Sequence, residues 1–170
     1  MGLNIGGSAT ITSPGTTLSV DGASQWMAVN ASGIVTRPQA PYMRGQISGQ
    51  ISVYNAGGGP LLVVPDVNRG NCWNSANGIW TCPVAGYYMM TWGAIAGPQS
   101  SGYPGLMKNG ANYHYTHWNH VGNWHFIALS SAIQCAAGDT LYFYIFSQNP
   151  STAGVHGNGN HAMYSIALMA

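Results

Sequence analysis

The chain has 170 residues, three of them acidic and four basic, for a formal net charge of +1. So few cations cannot neutralise a phosphate backbone, which excludes nucleic-acid binding of the electrostatic kind. With 46% apolar residues and almost no net charge, the chain also lies outside the composition of intrinsically disordered proteins.

Solubility must come from Asn, Ser, Thr, Gln and Gly, and a surface this weakly charged repels its own copies little. That suits a chain held in a permanent assembly. The length suits one domain with an arm. The N-terminal "MGLNIGGSATITSPGTT" lacks the basic start and apolar centre of a signal peptide, and no apolar run reaches about 18 residues, so synthesis in the cytoplasm without membrane insertion is expected. Cys72, Cys82 and Cys135 match no zinc spacing and no CxxC motif. Cys72 and Cys82 flank a short loop and could approach one another, but free, buried thiols are the expectation for a chain with no sign of export.

Helix formers are scarce: Glu is absent, Lys occurs once, and Gly occurs 24 times. Short β-branched and aromatic runs cut by Gly, Asn and Pro take their place. In chain order the predicted strands are 9–13, 16–20, 25–29 and 33–36, then 45–54, 60–65, 78–83 and 86–96. After these come 105–109, 111–118, 124–135, 140–147 and 161–170. Many short strands with regular turn signals predict an all-β sandwich or barrel.

Two regions separate, residues 1–40 and 41–170. The first holds strands of three to five residues with small side chains, and it can bury little without a partner. The second holds the aromatics. In "TLYFYIFS", Leu141, Phe143 and Ile145 share one face while Tyr142, Tyr144 and Phe146 share the other. A sandwich strand needs one buried face, so the second is expected to meet another subunit or a loop of its own chain. Between the regions lies "NASGIVTRPQAPYMRGQ", with Arg37 and Arg44 beside Pro38 and Pro41. The prolines block helix and stiffen the segment. The arginines suit either a grip on a carbonyl-rich or acidic partner or a solvated domain edge.

Four segments carry a family resemblance. "NRGNCWNSANGIWTCPVAGYYMMTW" (68–92), "LMKNGANY" (106–113), "IALSSAIQCAAGDTLYFYI" (127–145) and "HAMYSIALMA" (161–170) resemble, in order, successive segments of C1q-like domains of the tumour necrosis factor superfold. They span roughly residues 45 to 170. Asn77-Gly78 and Asn109-Gly110 supply the positive φ of tight hairpins, and Gly138-Asp139 supplies a further turn. The resemblance implies a C1q/TNF-like jelly-roll sandwich, homotrimeric about a threefold axis. It implies that Tyr142, Tyr144 and Met169 face that axis, while Tyr87, Leu141, Phe143, Ile145, Tyr164 and Leu168 fill the core. Acidic residues are limited to Asp21, Asp66 and Asp139, so the calcium site of some relatives is not expected. No collagen-like Gly-X-Y stalk is present, which disfavours a secreted animal relative.

"ASGIVTRPQAPYM" in turn resembles a junction in bacteriophage structural proteins that precedes a C1q-like head. The implied protein is a virion component: a trimeric capsid decoration (cement) protein, made in the host cytoplasm, whose N-terminal arm binds the major capsid protein. Leu3, Ile5, Ile11, Leu18, Val20, Trp26, Arg37 and Arg44 are the expected arm contacts. The alternative is a tail- or head-fibre tip recognising host surface glycan, with Trp118, His120 and Trp124 as ligand-binding residues beside Tyr113 and Tyr115. Core or subunit-seam packing is the competing role for these aromatics.

His114, His117, His120 and His125 cluster, but residues three apart on a strand point to opposite faces, and no metal site or other cofactor is expected. Catalysis finds no support either. No GxSxG elbow, Walker loop or GxGxxG occurs, and a glycosidase needs two facing carboxylates, which three scattered Asp do not offer.

Overall fold

The computed structural model of the protein describes residues 17–20, 24–29, 35–36, 40–47, 50–52, 60–97, 101–119, 122–147, 154–156 and 162–169. The chain divides into two units, Met1–Ala40 and Pro41–Ala170. In the first, β1 (Thr17–Val20), β2 (Ser24–Val29) and β3 (Val35–Thr36) form an antiparallel sheet in the order β1-β2-β3, with a bulge between Leu18 and Ser19. The predicted strand at 9–13 lies outside the described residues.

The second unit contains β4 (Tyr42–Ile47), β5 (Gln50–Ser52), β6 (Val63–Arg69), β7 (Trp73–Asn74), β8 (Ile79–Thr81), β9 (Gly86–Ala96) and β10 (Ser101–Lys108). It continues with β11 (Ala111–Tyr115), β12 (Trp118–Asn119), β13 (His125–Cys135), β14 (Thr140–Ser147), β15 (Gly154–His156) and β16 (Ala162–Leu168). They form two antiparallel sheets. The larger runs β5-β15-β9-β16-β4-β6, with β13 on the other side of β9; the smaller runs β11-β10-β14-β8-β7, with β12 also on β10. Neighbours in the larger sheet are mostly distant in sequence, as when β9 is flanked by β13 and β16, and this is the crossover topology of a jelly roll. Among the described residues there is no helix, and so none long and apolar enough to cross a membrane.

The core lies between the sheets and is built by strict alternation. On β9, Tyr88, Met90, Trp92, Ala94 and Ala96 point inward; on β14, Leu141, Phe143 and Ile145 do so, as the alternation predicts. Aromatic rings interlock at its centre. Phe143 meets Tyr164 at 5.2 Å between ring centroids, and Trp92 meets Tyr164 edge-on at 5.9 Å. Such edge-to-face pairs add to the area they bury. The expectation that Tyr87 fills the core is corrected: Tyr87 is 52% exposed, and its neighbour Tyr88 is fully buried instead. Leu168 packs partly buried against the core, whereas Tyr164 lies within it.

Tight turns set the register. Asn109 and Gly110 both have positive φ, of 50° and 79°, so the β10–β11 connection has the twist a two-residue hairpin needs. At 77–78 only Gly78 is left-handed. The loop there is longer, closed by Gly78 N–H donating to the Asn74 carbonyl at 2.9 Å. A third turn, at Gly70-Asn71, is left-handed at both residues and went unread in the sequence.

The Gly138-Asp139 turn is tied to the β10–β11 hairpin. Asn109 Nδ2 donates to Asp139 Oδ1 at 2.8 Å, the Ala136 amide donates to Asp139 Oδ2 at 2.8 Å, and Lys108 Nζ lies 3.0 Å from the same carboxylate. Asparagine, the Ala136 amide and Lys108 together hold the Asp139 carboxyl well down, at about 2.

Candidate functional site

Alternation leaves the larger sheet with a second face, turned away from the core. Its rows can be read from the register. Met163 pairs across β9 with Gly93 and Gly93 with Ala128; Ser165, Thr91 and Ser130 form the next row, and Ala167, Met89 and Ala132 the one after. Paired residues share a face, so these rows make a surface of Ala, Ser, Thr, Met and Gly without a charge. It ends at Tyr87 and Met169, whose amide donates to the Tyr87 carbonyl at 2.8 Å.

Phe126 stands at the other end, 66% exposed, beside Met163 at 55%. The Phe126 ring lies over Gly93, where a Cβ would come within 2.8 Å of its Cζ. Glycine at this position leaves room for the tip of the ring against the strand. A cleft of about 400 Å³ opens here, lined by Arg44, Gln46, Asp66, Phe126, Ala162 and Met163.

Arg44 marks the border of this surface. Its Nη2 donates to Asp66 Oδ2 at 2.6 Å and its Nε to the same oxygen at 3.1 Å, a two-pronged pair in which both side chains are about half exposed. The guanidinium lowers the Asp66 carboxyl by hydrogen bonding, and Asp66 raises Arg44 in turn. Assigning Arg44 to the arm is therefore corrected. It belongs to β4, inside the second unit, and its charge is engaged by Asp66 across a bulge between Arg44 and Gly45. An exposed pair of this kind adds little stability, but it fixes where the one guanidinium points.

The remaining predicted residues separate. Leu18 and Val20 lie in β1 and Trp26 in β2. Leu3, Ile5, Ile11, Arg37 and His120 lie outside the described residues. Tyr142 and Tyr144, half-buried, are on the outer face of the smaller sheet, while Met169 follows β16 on the outer face of the larger. These faces point in opposite directions, so the three do not form one patch on one subunit. Trp118 lies in β12, and Trp124, 46% exposed, precedes β13. His114 is on β11, and the His117 ring sits 4.8 Å from that of Tyr103. Among the described residues no three metal-ligating side chains come together.

Phe126 and Met163 were missed in the sequence, although a signal existed. The residues opposite Ile127, Leu129 and Ile133 on β13 are apolar or small rather than charged. All three cysteines are free and buried. Burial pushes each thiol up, and Cys82 has Cys135, not Cys72, as its thiol neighbour. Of the carboxylates described, Asp66 is bound to Arg44 and Asp139 to Lys108 and Asn109, so no two face each other across a cleft.

The two antiparallel sheets and their crossover connections define a jelly roll of the C1q/TNF-like class. Residues 64–165 match the C1q domain family, and the chain belongs to it. Among solved structures it is similar to the globular domain of zebrafish complement 1qA protein, at 13% identity and a TM-score of 0.60, over 76% of this chain and 98% of that one. It is similar to murine APRIL at pH 5.0 with the same TM-score, at 9% identity, over 76% of this chain and 99% of that one. These likenesses are of fold. No curated protein matches the sequence. Domains of this class are typically trimeric, non-enzymatic binding modules.

Proposed function

We propose that the chain is a homotrimeric structural protein of a bacteriophage virion, decorating the capsid through its N-terminal arm. The observation that carries the assembly is the outer face of the larger sheet, with its uncharged rows of small and apolar residues ending in Phe126 and Met163. A surface of small, uncharged side chains with exposed apolar residues at its ends is what a subunit covers. The virion assignment rests on the Pro-rich junction at residues 31–43 and on the nearly charge-free composition.

The arm would act by strand addition. Among the described residues β1 and β3 are the edges of their small sheet, and an edge offers backbone groups to an adjoining strand of the capsid lattice. Three weak arms on one head bind far more tightly than one.

Counting copies on purified particles tests the reading. Hundreds of copies on the capsid lattice support decoration, and a few at the tail refute it. Deleting residues 1–36 is expected to abolish particle binding and leave a soluble trimer; a monomeric or unfolded product overturns the division into arm and head.

A further inference from the structure

The smaller sheet carries a cleft on its own outer face, on the opposite side of the sandwich from the surface assigned above to subunit packing. Its rows follow from register. Phe146 pairs with Tyr103, Tyr144 with Gly105 and Tyr142 with Met107. β11 extends two of these rows, placing Tyr115 opposite Gly105 and Asn112 opposite Met107. Every second residue of three adjoining strands therefore points the same way, and five of them are aromatic. Gly105 opens the middle of the array. A Cβ there would be in ordinary contact with Tyr144 Cδ1, at 3.5 Å, and with the His114 carbonyl oxygen, at 3.8 Å, so the Tyr144 ring rests beside bare backbone.

The resulting cleft, about 340 Å³, is lined by Tyr103, Asn112, Tyr115, Tyr144 and Phe146. The rings hold one another in place. Tyr103 meets Tyr115 edge-on at 5.8 Å and Phe146 at 6.0 Å, and the His117 ring packs on Tyr103.

We infer that this cleft binds a short neutral saccharide. Its chemistry selects that class in three ways. None of the five lining residues carries a charge, and Lys108 of β10 is held by Asp139, so an ionic ligand would find no counter-charge. Aromatic faces with negative quadrupoles accept the C–H face of a pyranose ring, while the Asn112 carboxamide can hydrogen-bond its hydroxyls. Its size sits at the low end of small-molecule sites, roughly 300–1,000 Å³, and suits a mono- or disaccharide. Tyr103 and Phe146 at one end and Asn112 at the other bound the cleft, which disfavours an extended proline-rich peptide. The inference stands apart from the virion reading, since it concerns the head alone.

The site differs from the one expected from sequence. Trp124 is not among the described lining residues and Tyr115 is, while His120 and the Trp118 side chain lie outside what is described. At one end of it, Phe146 is read from the sequence with Tyr144 as the second face of its strand, whereas Tyr103, from a strand distant in sequence, gave no local signal.

The test is a titration of the full chain with glucose, galactose, N-acetylglucosamine, maltose and lactose, followed by saturation-transfer and chemical-shift NMR. At least one sugar is expected to bind and to shift tyrosine ring signals. Tyr115 is 57% exposed, so its substitution is expected to leave the fold intact. Tyr115→Phe should keep affinity within about twofold, whereas Tyr115→Leu, which keeps apolar area but loses the ring face, should lose roughly tenfold. Gly105→Val, which drives the Tyr144 ring into the cleft, should abolish binding; a circular-dichroism melt identifies misfolding, in which case Asn112→Ala, expected to weaken binding, takes its place. Four outcomes overturn the inference: no sugar bound, equal binding by the Phe and Leu variants, saturation by a polyproline peptide instead, or cleft variants that dissociate the oligomer and so identify a subunit contact.

Discussion

Truncating Phe126 to alanine separates two roles that one side chain plays. A phenylalanine buries about 200 Å² when fully covered. With 66% of it exposed, roughly 70 Å² is already buried against the strand at Gly93 and roughly 130 Å² remains for a partner. At about 25 cal/mol per Å², the first part contributes about 1.7 kcal/mol to the fold of the single chain, and the second at most about 3 kcal/mol per subunit to assembly. The first predicts a fall in Tm of about 3–7 °C for a chain of this length. The second predicts association weakened by about two orders of magnitude at each interface. Sedimentation velocity over a dilution series, with circular-dichroism melts on the same samples, measures both. If the wild-type chain assembles and Phe126→Ala assembles at the same concentrations while losing only a few degrees in Tm, Phe126 faces solvent in the assembly and the larger sheet is not the subunit contact.

Gly45→Ala tests the close approach of β4 and β6: its Cβ would meet the Val64 carbonyl oxygen, Pro65 Cα at 2.7 Å and Val63 Cγ1 at 2.9 Å. Overpacking against backbone should cost about 1–3 kcal/mol or more, read as a lower urea midpoint, and an unchanged midpoint contradicts the packing described. Asp139 tests the lock between the two turns. Its carboxyl is depressed to about 2, so its stabilising effect is present above the unfolded value near ~3.9 and is lost as pH falls toward 2. Asp139→Ala should therefore lower the urea midpoint at pH 7 and match wild type near pH 2; a difference independent of pH sinks the assignment.

How much of this was legible beforehand varies by element. β9 was read end to end, because Gly86 opens an unbroken run of eleven residues rich in aromatic and branched side chains. β10 was read only from Gly105. Pro104 looked like a terminator, yet it lies within the strand between the stretches paired to β12 and β11, where its missing N–H leaves no ladder bond unmade and its carbonyl accepts from Thr116 at 3.2 Å. Pro65 concealed the rest of β6 in the same way. It sits at a bulge in an edge strand, a place that tolerates proline. The candidate surfaces were less visible than the strands. Phe126 and Met163 come from strands that flank β9 on opposite sides, and only the jelly-roll crossing makes them neighbours.

By itself the sequence determined the all-β class, the C1q-like order of segments and the partition of each strand into two faces, since these depend on composition and a two-residue period. It could not decide which face turns inward. In "GYYMM" either tyrosine fits a core, and Tyr88 rather than Tyr87 occupies it because the smaller sheet packs on that side of β9. Nor could it pair Arg44 with Asp66, 22 residues away, or gather Tyr103, Tyr115 and Phe146 about one cleft. Those contacts depend on which strands lie side by side, and strand neighbours in a jelly roll are set by crossings between distant segments, which no local pattern records.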